Sequence, residues 1–138
     1  MKNSAEELKQ FISLSELRAI KENTRGEEGE FFRKMISDLK ATIANMPKTY
    51  ETEGMGDDAM VSLHYFLGSS DWYIIEKDSE DEQLQAFGFA CLNGDKQNAE
   101  LGYISIEELI ENGVELDLYY KPEKIGDLKK KFEKGYSN

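Results

Sequence analysis

One histidine and one cysteine, His64 and Cys91, stand in this 138-residue chain, so acid–base or nucleophilic chemistry would have to be built from few parts. His64 would serve as a general base if Asp71 or Glu76 oriented its imidazole across a hairpin. Glu100 with Asp117 or Glu115 would make an acid/base couple only at the right separation. The pocket these residues allow is His64 with Glu76, Glu100 and Asp117. Ser69 and Ser70 lack the flanks of a nucleophile elbow. Cys91 has no nearby cation to depress its pKa and reads as a buried, inert thiol. A single histidine and a single cysteine do not make a structural zinc site within one chain. Asp78, Glu80 and Glu82 alternate as in a calcium loop, but Gln83 stands where that turn requires glycine. No metal and no cofactor is expected, and no glycine-rich loop fits a nucleotide.

These residues sit on segments that read as strands. Val61–Leu67 and Asp71–Lys77, rich in β-branched and aromatic residues, flank Gly68-Ser69-Ser70 as a hairpin. A four-residue turn beginning at Leu67 sets Phe66 against Asp71 and His64 against Tyr73. With no carboxylate directly opposite, a histidine packed or hydrogen-bonded in a strand is the preferred reading. Leu84–Leu92 forms a third run interrupted by Gly88, a sign of a bulge or a close backbone approach. Asn93-Gly94 marks a reversal. Leu101–Ile104 and the alternating Val114–Tyr119 complete about five short strands.

Helical signals surround them. Ser4-Ala5-Glu6-Glu7 and Ser13-Leu14-Ser15-Glu16 each read as a capping box, opening two short helices in an N-terminal arm over residues 1–26. Glu27–Met46 carries Phe32, Ile36, Leu39, Ile43 and Met46 on one stripe, widened by Phe31 and Met35 and ended by Pro47. Ser105 caps a helix ended by Gly113, and Pro122 opens a last helix with Ile125, Leu128 and Phe132 inward and Gly135 as its stop. The class expected is α+β: a small, mainly antiparallel sheet, a long N-terminal helix on one face, and a C-terminal helix, in a single domain over residues 27–138.

The chain is long enough to bury a core without staples. With 39% hydrophobic and 33% charged residues it is globular, with a well-solvated surface. The unpaired cysteine and the lack of an apolar leader or spanning run point to a cytoplasmic protein away from membranes. A net charge of -11 is the wrong sign for neutralising nucleic-acid phosphates, so direct nucleic-acid binding is disfavoured. That charge favours a protein partner with a basic surface. The contacts expected are the loop residues Asp78, Glu80, Asp81 and Glu82, with Tyr119 and Tyr120 as an aromatic pair.

Leu63–Phe66, Asp71–Asp78, Gln85–Gly88, Glu100–Ser105 and Glu115–Tyr119 resemble, in order, a family of small uncharacterised domains encoded on plasmids, conjugative elements and phages. Ala-Phe-Gly, Glu-Leu-Gly-Tyr-Ile-Ser and Glu-Leu-Asp-Leu-Tyr are the most specific pieces. The family is counted among the domains of unknown function, and the resemblance implies a mobile-element setting without an activity. The expectation is a non-enzymatic protein-interaction module, an antagonist or adaptor of a host protein. The alternative is a small-molecule-binding domain or enzyme using His64 and a nearby carboxylate.

Overall fold

The structure, a computed structural model, describes residues 8–23 and 29–133. The fold is α+β. Five antiparallel strands form the main sheet: β2 (Leu63–Leu67), β3 (Ser70–Glu76), β4 (Ala86–Cys91), β5 (Glu100–Ile104) and β6 (Glu115–Leu116). Their spatial order is β5-β4-β3-β2-β6. A two-residue pair, β1 (Met60–Val61) with β7 (Glu123–Lys124), stands apart from it. The helices are α1 (Leu14–Asn23), α2 (Gly29–Ala44), α3 (Ile106–Glu111) and α4 (Ile125–Glu133).

Alternation along the strands divides the apolar residues between two faces. Leu63, Tyr65, Ile74, Ala86 and Leu116 meet residues of α1, α2 and α3 in the larger core. Tyr73, Ile75 and Phe89 meet Ile125 and Leu128 of α4 in the smaller one. The long helix expected near the N-terminus is therefore the second helix, and the first spans only ten residues. Phe31 does not widen its buried stripe; it is 55% exposed.

The Ser4 signal and the Gly135 stop lie outside the described residues. Leu8–Ser13 is a turn rather than a helix, yet Leu8 and Ile12 are almost fully buried in the larger core. The Tyr65 hydroxyl donates to the Phe11 carbonyl and fastens that turn to β2. Ser13 caps α1 by accepting from the Glu16 amide at 3.2 Å. Ser105 caps α3 at 3.1 Å from the Glu108 amide, and Gly113 ends that segment at φ 80°.

The hairpin register is the one read from the turn, with Phe66 paired to Asp71 and His64 to Tyr73. The close approach read at Gly88 is realised, while the bulge lies on the strand opposite. A Cβ there would lie 2.1 Å from the Tyr73 carbonyl oxygen, and the facing strand is bulged between Ile74 and Glu76. The last expected strand is cut to two residues, because the chain turns at Asp117. The last helix starts at Ile125, three residues later than expected, since Glu123 and Lys124 pair with β1.

Glu16 joins α1 to β6 by accepting the Leu116 amide at 2.9 Å. Burial, opposed by that bond and reinforced by Glu115 and Asp117, raises its pKa from 4.5 to about 7. The unfolded chain therefore ionises before the folded one, and stability falls as pH rises from about 4.5 to 7. Glu16→Gln keeps the acceptor without the charge. Urea unfolding should find variant and wild type alike near the lower end of that window. Above pH 7 the variant should be more stable by the order of 1 kcal/mol, since solvent screens this half-exposed site. An equal difference at both ends would refute the assignment.

Candidate functional site

His64 lies on the α4 side of the sheet, and its ring is held on both edges. Nε2 meets Asp71 Oδ1 at 2.7 Å and Nδ1 meets Asp117 Oδ2 at 3.0 Å. Tyr73 stands directly opposite in the hairpin, as expected, yet two carboxylates reach the ring, for two reasons. Asp71 is the diagonal neighbour across the hairpin, within reach of a long side chain. Asp117 follows directly from the β2–β6 register, in which Phe66 faces Glu115 and Tyr65 faces Leu116. The Asp117 amide also donates to the His64 carbonyl at 2.8 Å.

Both ring nitrogens are therefore engaged by carboxylates of the chain itself, and neither is left open to a substrate. Tyr73 stacks on the ring at 4.6 Å and 10°, and Tyr120 leans over it at 5.5 Å. Burial first, and neighbouring carboxylates next, push the Tyr73 phenol far above its ordinary range. Burial and donation to Glu123 do the same to Tyr120. The two aspartates sit on opposite edges of the imidazole, so their oxygens diverge instead of converging on one ion. The cluster is a clamp joining β2, β3 and the 117–120 turn.

The rest of the expected pocket is dispersed. Glu100 is exposed at the start of β5, opposite Ala90. Glu76 ends β3 and is 3% exposed. Its Oε1 accepts the Tyr50 amide at 2.8 Å, and its Oε2 accepts both the Thr52 amide, at 2.9 Å, and the Thr52 hydroxyl. The Thr49 hydroxyl adds contacts to the Lys77 and Gln85 carbonyls. Together these bonds pin the 49–52 segment to the sheet and hold Tyr50 at φ 75°, a left-handed conformation that costs a non-glycine residue roughly 1–2 kcal/mol.

The Tyr50 ring consequently stands beside β5. It meets Tyr103 edge-on at 6.4 Å, and Tyr103 meets Phe87 edge-on at 5.6 Å. The three rings line a cleft of about 260 Å³, with Ile75 and Leu101 as further apolar walls. Its charged lining is Glu53 and Glu76, with no lysine or arginine. A bond to the Tyr50 phenol raises the pKa of Tyr103, and the fields of Glu76 and Glu53 raise it further. Ligand pockets for whole cofactors usually run to about 300–1,000 Å³, so this cleft suits one side chain or a small cation. It was missed because Tyr50 lies in what reads as a plain polar connection, and its φ has no sequence signature.

The expected contact residues separate into two groups. Asp78 works within its loop: Oδ1 accepts from Glu80, and Oδ2 from Leu84 and Gln85. Although burial opposes it, these amides hold the Asp78 carboxyl below the usual range. Buried Gln83 bonds the Asp78 amide and the Glu80 and Asp81 carbonyls, leaving Glu80, Asp81 and Glu82 exposed. Tyr119 is 68% exposed, whereas Tyr120 turns inward onto His64. The anticipated aromatic pair is therefore one ring.

Removing the shared histidine leaves two half-buried carboxylates without their partner. Urea unfolding of His64→Ala should show a loss of about 1–3 kcal/mol. A double-mutant cycle with Asp117→Asn should return a coupling of about 0.5 kcal/mol or more, and additivity would dissolve the clamp. Among the described residues no group of three or more histidine, cysteine or acidic side chains is placed to hold a metal ion, and no helix is long and apolar enough to cross a membrane. No protein-family model, curated protein or solved structure matches the chain.

Proposed function

We propose that this chain is a non-enzymatic protein-interaction module that takes a cationic side chain of a basic protein partner into the Tyr50–Phe87–Tyr103 cleft. The observation that carries the reading is the cleft's composition: three aromatic rings and two carboxylates, with no basic residue in its lining. A lysine or arginine over an aromatic face is attracted by roughly 0.5–2 kcal/mol, more where water is excluded. The net charge of -11 draws basic surfaces in, and exposed Glu80, Asp81 and Glu82 add a local contact within a Debye length of about 8 Å. The same charge disfavours nucleic acid as the partner. The satisfied imidazole of His64 argues against the enzymatic alternative.

The resemblance to domains of plasmids, conjugative elements and phages supports a mobile-element setting, with a cytoplasmic host protein as the target to antagonise or adapt.

Calorimetric titration with a capped peptide of alternating arginine and valine, at low salt, tests the reading. Tyr103→Ala should weaken binding by about 5–30-fold. Tyr50→Gly removes the ring and relieves the left-handed strain, so it should weaken binding similarly while raising unfolding stability by about 0.5–1 kcal/mol. Reversing Glu80, Asp81 and Glu82 to lysine should weaken binding mainly at low salt. Equal binding of a glutamine–valine peptide, or no effect of Tyr103→Ala, contradicts the proposal.

A further inference from the structure

Resting on that reading, we infer that the partner segment is an extended basic peptide that pairs with β5 as an additional strand, placing one of its cationic side chains over the aromatic cleft. β5 closes one side of the main sheet and pairs there only with β4 among the described residues. A sheet edge is a template for another chain unless it is guarded by lysine, proline, a bulge or a covering element. Glu100-Leu101-Gly102-Tyr103-Ile104 contains neither lysine nor proline, and its pairing with β4 runs through five successive residues without a bulge.

The two sides of β5 differ in a way that fits such an occupant. Ile104 points into the larger core. Leu101 and Tyr103 point to the other face, remain 41% and 55% exposed, and both line the cleft. Gly102 between them carries no side chain, and the space where a Cβ would stand is open. A peptide paired here lies about 4.8 Å from β5, and every second side chain falls on the cleft face beside Leu101 or Tyr103. A cation at such a position meets the Tyr103 ring and Glu53, with the buried Glu76 behind them. Main-chain bonds give the peptide its direction, and the cleft selects the side chain.

The test uses the alternating arginine–valine peptide in two backbone-methylated forms, one N-methylated at the arginines and one at the valines. Neighbouring residues of an edge strand send their N–H groups to opposite sides, so only one set faces β5. One form should lose affinity by roughly tenfold or more, and the other should bind like the parent. The parent peptide should also slow hydrogen exchange of β5 amides that exchange freely without it. If both forms bind like the parent while Tyr103→Ala still weakens them, the side chain is captured without strand pairing. That overturns this inference and leaves the interaction reading standing. If the parent peptide does not bind at all, both fall.

Discussion

The carboxylate of Glu76 is the contact on which the rest of the site depends. A buried ionised group is tolerated only where hydrogen bonds replace its water, and here three donors from the 50–52 segment converge on it. The β3 bulge sets the register at which Glu76 meets this segment. In return the carboxylate holds a tyrosine in the left-handed region. The strain and the buried charge are thus one arrangement, and its product is an aromatic wall beside an open strand edge. Strained backbone collects at functional sites because nothing in folding alone favours keeping it.

The other conspicuous cluster has the opposite character. His64 satisfies two aspartates, stacks on one tyrosine and lies under another, and thereby ties the short β6 segment and its turn to the hairpin. Its imidazole and both its carboxylates already have partners. The cleft around Tyr50 has exposed ring faces and acidic residues but no basic residue in its lining.

Much of the scaffold was legible in the sequence, because it follows from local rules. Gly68-Ser69-Ser70 fixed the hairpin register, Ser13 and Ser105 gave the helix starts, and Gly88 announced a close approach. What was not legible depended on long-range pairing. Nothing local says that Glu115–Leu116 joins β2, so Asp117 could be named only as one of several carboxylates grouped with His64. Nor does anything local say that Glu123–Lys124 pairs with Met60–Val61, which delays the last helix. The site was the least legible part. Asp78 looked like an outward charge but is consumed by its own loop, and Tyr50 looked incidental but is held by an acidic residue 26 positions away.

The central claim is that this acidic scaffold receives a cation in the Tyr50–Phe87–Tyr103 cleft and performs no chemistry at His64. The most direct measurement is a two-dimensional amide NMR titration with N-acetyl-arginine amide. The account predicts saturable shifts confined to Tyr50, Thr52, Glu76, Phe87 and Tyr103. Shifts centred instead on His64, Asp71 and Asp117 would contradict it.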